Sequence, residues 1–287
     1  MPTVLNNRSQ WNDTYDWSEG GEEWSREWGG ADMQWFGTLL PRLHVFLPVG
    51  TILELAPGFG RWTHFLKDHC RRLIAVDLSE KCIQACRRRF AASPHVECHV
   101  NDGKSLEMVP DGSVDLVFSF DSLVHVEDDV IGAYLQQLAI KMRPDAVGFI
   151  HHSNLAECLA KHRWLRSTRL GQKLGRRLGL IERFEHWRGR SMSAARFERL
   201  ATDAGLRCIA QETFPWHGMR HPIDCISTFT PMRSRWARPN RVYRNLRFLD
   251  EAQSWRVLAG LYGASSMATT GSADPSVSPQ RSMLVHT

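Results

Sequence analysis

The sequence predicts an α/β fold, a doubly wound parallel sheet with helices on both faces, and three observations carry that reading. Apolar runs with strand character at 51–55, 73–77, 96–100, 114–120 and 146–151 alternate with stretches of helical spacing, the order from which parallel sheets are built. The first run ends in an acid and a glycine turn, Thr51-Ile-Leu-Glu-Leu-Ala-Pro-Gly-Phe-Gly-Arg-Trp62. The second ends in Asp77, about twenty residues further on, the spacing at which a strand-end acid meets a glycine turn in a βαβ unit.

Each element has a local reason. Gly58 and Gly60 carry no Cβ, so the chain can turn sharply from strand to helix and approach a ligand closely. Ser79 and Glu80 offer a side-chain cap and a first-turn acid, after which Ile83, Cys86 and Phe90 recur at helical spacing. Arg87, Arg88 and Arg89 suit the solvated carboxyl end of that helix. The next strand, His95 to Val100, runs into Asn101-Asp102-Gly103. Beyond the fifth strand, Met192 to Gly205 reads as a capped amphipathic helix stopped by glycine, followed by strands at 206–214 and 224–230.

The turn also says which ligand to expect. A dinucleotide site wants Gly-x-Gly-x-x-Gly to seat a pyrophosphate, and no third glycine follows Gly60 at that spacing. Glu54, just before the turn, would repel a pyrophosphate but suits a cationic amino group. That favours S-adenosylmethionine, which carries an ammonium and a sulfonium. Asp77 is placed to accept hydrogen bonds from ribose hydroxyls.

In these motifs, taken in order, the chain resembles the class I S-adenosylmethionine-dependent methyltransferases over roughly residues 45–230. The resemblance implies a Rossmann-like seven-stranded sheet in the order 3-2-1-4-5-7-6 with the last strand antiparallel. It implies that Glu54, Ala56, Gly58 and Gly60 hold the methionine end of the cofactor, that Arg61 beside them also binds it, and that Asp77 holds the ribose. Leu78, Asp102 and Gly103 would meet the adenine, and Phe120, within Phe118-Ser-Phe-Asp121, would line the transfer centre. S-adenosylhomocysteine would be the product. The run Trp-Asn-Asp-Thr-Tyr-Asp-Trp-Ser and the His-His-Ser-Asn strand are similar to bacterial methyltransferases of surface-polysaccharide and glycan biosynthesis, which implies O-methylation of a sugar hydroxyl. Methylation of a small natural product at oxygen or nitrogen, and a cofactor-binding protein without catalysis, are the alternatives.

Composition agrees with one large domain plus appendages: 287 residues, 43% hydrophobic and 23% charged. No apolar run reaches the length of a membrane span, and the amino terminus lacks a signal-peptide plan, so a cytoplasmic location is expected. Seven scattered cysteines without a Cys-x-x-Cys pair read as reduced, packed thiols. A formal charge of +5 is modest. The Asn/Asp-Pro-Pro-aromatic signature of nucleic-acid amino-methylation is absent at Phe120-Asp121-Ser122-Leu123, so a nucleic-acid acceptor is not expected.

Three regions lie outside the shared scaffold. Residues 1–44 hold Trp11, Tyr15, Trp17, Trp24, Trp28 and Trp35 among glycines and acids, as a cap that closes over cofactor or docks by burying aromatics. Residues 155–190 form a basic helical insertion, read as a lid for an anionic acceptor, a solvated face or a contact in a homo-oligomer. Residues 231–262 read as a helical extension and 263–287 as a disordered Ser/Thr/Pro-rich tail.

For chemistry, Asp121 and His125 end the fourth strand and His151 and His152 the fifth, and both strand ends border one crevice in a doubly wound sheet. An alcohol acceptor must lose a proton as it attacks, which a histidine base can take at neutral pH. His151 or His152 is the expected base, only one of the two reaching the pocket, with His125 and Asp121 orienting it or the acceptor. A divalent metal held by Asp121, His125 and one of those histidines is possible but not favoured.

Overall fold

The computed structural model describes residues 3–161, 163–178, 187–216 and 219–262. The strands are β1 Val49–Leu55, β2 Cys70–Asp77, β3 Val96–Val100, β4 Val114–Ser119, β5 Met142–Ser153, β6 Leu206–Phe214, β7 Asp224–Pro231 and β8 Arg241–Arg244. They form one eight-stranded sheet in the order β3-β2-β1-β4-β5-β7-β6-β8. The first five pair in parallel. β7 runs antiparallel between β5 and β6.

One expectation is corrected here: the sheet has eight strands rather than seven, because β8 adds to the outer edge in parallel with β6. Residues 231–262 are therefore not wholly helical. All four β8 residues are exposed, so no alternation of buried and open positions announces the strand, and its closely spaced arginines mask the strand-forming pair Val242-Tyr243. The helix Phe248–Tyr262 follows. The tail 263–287 lies outside the described residues, as do Glu182, Arg183 and Glu185 of the basic insertion.

Alternate side chains of each strand feed two cores. Ile52, Leu73, Leu116, Phe118 and Phe149 join Ile83 and Cys86 of the helix Glu80–Arg89 on one face. Leu53, Leu55, Ile74, Val117 and Ile150 meet the helices Asp128–Lys141 and Ala194–Asp203 on the other. Ser79 and Ser193 cap their helices by accepting from the Cys82 and Arg196 amides. The amino-terminal segment completes the first face: Trp28 packs against Trp216 and Phe248, and Trp35 stacks on Phe65 with ring centroids 5.2 Å apart. No helix among the described residues is long and apolar enough to cross a membrane.

Candidate functional site

The turn after β1 is built from residues in the left-handed region: Ala56 at φ 56°, Gly58 at 59° and Gly60 at 83°. The two glycines serve different purposes. A Cβ on Gly60 would stand 2.5 Å from the Phe90 ring, so this glycine lets the turn pack on the following helix; one on Gly58 would press the Trp17 ring at 3.0 Å. The Gly58 amide donates to Asp77 Oδ2 at 3.1 Å and the Ser79 amide to Oδ1 at 2.8 Å. Burial pushes the Asp77 carboxyl up to about 6. Beneath the turn Glu54 accepts from Thr63 Oγ1 at 2.6 Å, and burial pushes it to about 8, only partly offset by that hydroxyl.

A cleft opens above the carboxyl ends of β1, β2 and β4. It is lined by Ala56, Gly58, Arg61, Asp77, Leu78 and Phe120 of the expected cofactor residues, together with Asp121 and His125. The cap forms its other wall through Asn7, Trp11, Trp17 and Trp24. Counting its mouth the cleft spans about 650 Å3. Trp17, on its cap wall, stacks on Phe59 with ring centroids 4.5 Å apart. Two buried polar atoms on the wall, Asn7 Oδ1 and Trp62 Nε1, lack a partner, leaving an acceptor and a donor to be satisfied by a ligand.

The remaining expected cofactor residues do not line this cleft. Glu54 is buried beneath the turn, and Gly60 is part of the turn itself. Asp102 accepts from the amides of Lys104 and Ser105, which holds its carboxyl below the usual range. Gly103 lies against Leu78 and Val4, where a Cβ would meet Val4 Cγ1 at 2.9 Å. Cap and scaffold are joined here too, since Asn12 Oδ1 accepts from Ser79 Oγ and the Lys81 amide, both at 3.2 Å.

A buried polar chain runs behind the cleft. Ser25 Oγ donates to Gln34 Oε1 at 2.7 Å and accepts from Arg61 at 2.9 Å. Arg61 also donates to Asp121 Oδ2 at 2.9 Å and lies 4.4 Å from the Trp62 ring centroid. Asp121, at φ 68°, donates its amide to His151 Nδ1 at 3.1 Å. His151 Nε2 faces Asp224 at 3.6 Å, and Asp224 accepts both arms of Arg188 at 2.9 and 3.1 Å. Burial alone would raise the Asp224 carboxyl, but the Arg188 guanidinium holds it well below the usual carboxylate range. Arg188, one of the insertion's basic residues, is thus committed to β7.

The three histidines separate clearly. His152 stacks on Phe197 at 4.5 Å and bonds Ser227 Oγ at 2.8 Å, on the face away from the cleft; burial lowers its pKa to about 3. His151 is fully buried one layer below the cleft floor, with Nδ1 engaged by Asp121. Neither lines the cleft. His125 does, and its Nδ1 must carry the proton because its partner is the Trp187 carbonyl oxygen. Nε2 is then the accepting nitrogen. Burial, reinforced by the Arg188 cation, lowers the His125 pKa to about 4, so the ring is neutral at physiological pH.

His151-His152 sits at a strand end, where the sequence itself points to a base, whereas the Trp187 carbonyl that orients His125 comes from sixty-two positions along the chain. No local signal marks that contact. Among the described residues no group of three His, Cys, Asp or Glu side chains could hold a metal ion. The set Asp121, His125 and His151 or His152 is dispersed instead into Arg61, the Trp187 carbonyl and the two opposite faces of β5.

Comparison with known proteins agrees with this architecture. Residues 52–145 match the family model of a methyltransferase domain. A 50-residue stretch, 17% of this chain, is 40% identical to the ribosomal RNA small subunit methyltransferase A of Geobacter metallireducens and spans only 18% of that protein. In three dimensions the chain is similar to the PH0226 protein of Pyrococcus horikoshii OT3, with TM-score 0.50 and 19% identity over 78% of this chain and 95% of that one. A DhpI–SAH complex aligns with TM-score 0.49 and 22% identity over 79% and 94% of the two chains. Residues 52–145 thus carry a methyltransferase domain, set in an α/β fold shared with the PH0226 protein.

Proposed function

We propose that this protein transfers the methyl group of S-adenosylmethionine to a hydroxyl, with a sugar of a glycan or glycoconjugate as acceptor and His125 as general base. The observation that carries the reading is the state of His125: it lines the cleft, is neutral, and has its Nδ1–H pinned so that the Nε2 lone pair is available.

The residues present fit the cofactor. Asp77 would accept from the ribose hydroxyls, Gly58 allows close backbone approach, and Arg61 offers a guanidinium to the methionine carboxylate. When bound, the cofactor supplies an electrophilic methyl on a cationic sulfonium. The chain does the rest. Trp11, Trp17 and Trp24 exclude water and offer flat faces on which a sugar ring can stack. Phe120 and the left-handed Asp121 set the floor, with Asp121 held by Arg61 on one side and by His151 on the other. His151 is therefore a positioning residue.

His125→Gln tests this directly. S-adenosylhomocysteine affinity measured by calorimetry should stay within a few-fold, while methyl transfer to a panel of glycosides should fall by about 10²–10⁴-fold. Equal turnover in the variant would remove His125 as base. Turnover on amines but not on glycosides would favour a small natural-product acceptor, and cofactor binding without turnover on any acceptor would favour the non-catalytic reading.

A further inference from the structure

The basic insertion offers a second surface, distinct from the cleft. Residues 161–178 hold seven Lys and Arg side chains and no carboxylate. Leu165, 1% exposed, anchors the short helix Arg163–Arg166, and Thr168 caps the next helix, Arg169–Arg177, by accepting from the Gly171 amide. At helical spacing the three sides of this second helix differ. Gly171 and Gly175 share the inward side, Gly175 being buried. Arg169, Lys173 and Arg176 share another. Leu170, Leu174 and then Leu178 fall four apart on the third, 77%, 49% and 60% exposed, and Trp164 in the preceding turn is 70% exposed.

A protein surface tolerates single exposed leucines, but not ordinarily a leucine row on one short helix together with an exposed tryptophan on the helix before it. A leucine row on one side of a helix with Lys and Arg on the next is the pattern of a helix lying in the plane of an anionic lipid interface. Other occupants account for only half of it. A nucleic acid would take the cations and leave the leucines in water. A second copy of this chain, packed leucine row to leucine row about a twofold axis, would bring Arg169, Lys173 and Arg176 of each copy close to those of the other.

We propose that residues 163–178 lay this face on an anionic bilayer surface, the leucines and Trp164 among the acyl chains and the arginines at the headgroups. The insertion leaves the sheet after β5 and returns at Trp187, whose ring stacks on Trp11 and whose carbonyl orients His125. Such docking goes beyond the methyltransferase reading and does not depend on which acceptor is used.

The test is flotation of the full chain with vesicles of phosphatidylcholine alone and of phosphatidylcholine mixed with phosphatidylglycerol, with far-UV circular dichroism as the folding control. The wild type should float with the mixed vesicles and not with phosphatidylcholine alone. A Leu170→Glu/Leu174→Glu variant should lose at least about tenfold in partitioning. A Lys173→Gln/Arg176→Gln variant should bind more weakly and with a flatter salt dependence. The proposal is overturned if the wild type ignores mixed vesicles. It is equally overturned if the folded leucine variant floats as well as wild type, or if a polynucleotide is bound with leucine-independent affinity while vesicles are not. Loss of S-adenosylhomocysteine binding would sink the catalytic reading and leave this one standing.

Discussion

The amino-terminal cap and the basic insertion are both additions to the same sheet, both rich in large apolar side chains and charges, yet they turn those side chains in opposite directions. The cap drives Trp28 and Trp35 into the core, 0% and 1% exposed, and points Trp11, Trp17 and Trp24 at the cleft. The insertion buries Leu165 and leaves Trp164 and its leucine row outside. Composition alone does not separate the two; what separates them is whether a complementary surface lies among the described residues. The cap finds one in Phe65, Trp216 and Phe248, whereas the leucine row faces outward.

Truncating the inward aromatics should therefore cost most. Trp28→Ala should destabilise the fold by about 3–5 kcal/mol in urea denaturation, the range for emptying a buried aromatic site. A change below 1 kcal/mol would mean the cap contributes little to the core. Asp121→Asn leaves the buried Arg61 guanidinium without its carboxylate, 5% exposed beside Ser25 of the cap, and should cost about 3 kcal/mol. Ser25→Ala should cost less, because the ion pair survives.

The cap also governs a titration. Because Trp11 covers His125 at a ring distance of 5.2 Å, Trp11→Ala should raise the His125 pKa from about 4 toward the ordinary 6.5, read by NMR. The sign follows from linkage. A histidine whose folded pKa is depressed contributes stability that is present above pH 6.5 and lost as pH falls toward 4, so the variant should lose less stability over that window. An unchanged pKa would show that Arg188 rather than the cap sets it.

Smaller effects finish the series. Trp17→Ala should weaken S-adenosylhomocysteine binding by about tenfold if its ring closes on the cofactor, or tighten it if the ring is mainly an obstacle to entry; no change would remove Trp17 from the site. Leu174→Ser, at a 49% exposed position, should alter stability by less than about 0.5 kcal/mol. A larger loss would mean that the leucine row is packed within the chain after all.

What could be read without a structure was chemistry that is local. A strand, a glycine turn and a strand-end acid specify one another within about thirty residues, which is why Gly58, Asp77 and the cap at Ser79 could be placed by spacing. The division of labour between Gly58 and Gly60 could not, since it depends on Trp17 and Phe90. Nor could the left-handed Ala56, as alanine gives no hint of a positive φ. Arg188 looked like one more insertion charge and is instead the partner of Asp224, thirty-six positions away. The leucine row was hidden in plain sight, because its arginines dominate any reading by charge.

The outermost strand has a consequence for how copies of this protein meet one another in concentrated solution. Among the described residues β8 ends the sheet, and the free edge of any sheet is a template for a strand from another molecule. Its four residues are exposed, begin and end with Arg241 and Arg244, and are followed by Asn245, whose amide folds back to the Thr213 carbonyl. A stranger strand would have to bring its own charge against two guanidinium groups along a ladder only four residues long. Shortness and repulsion together work against growth of the sheet beyond its own chain.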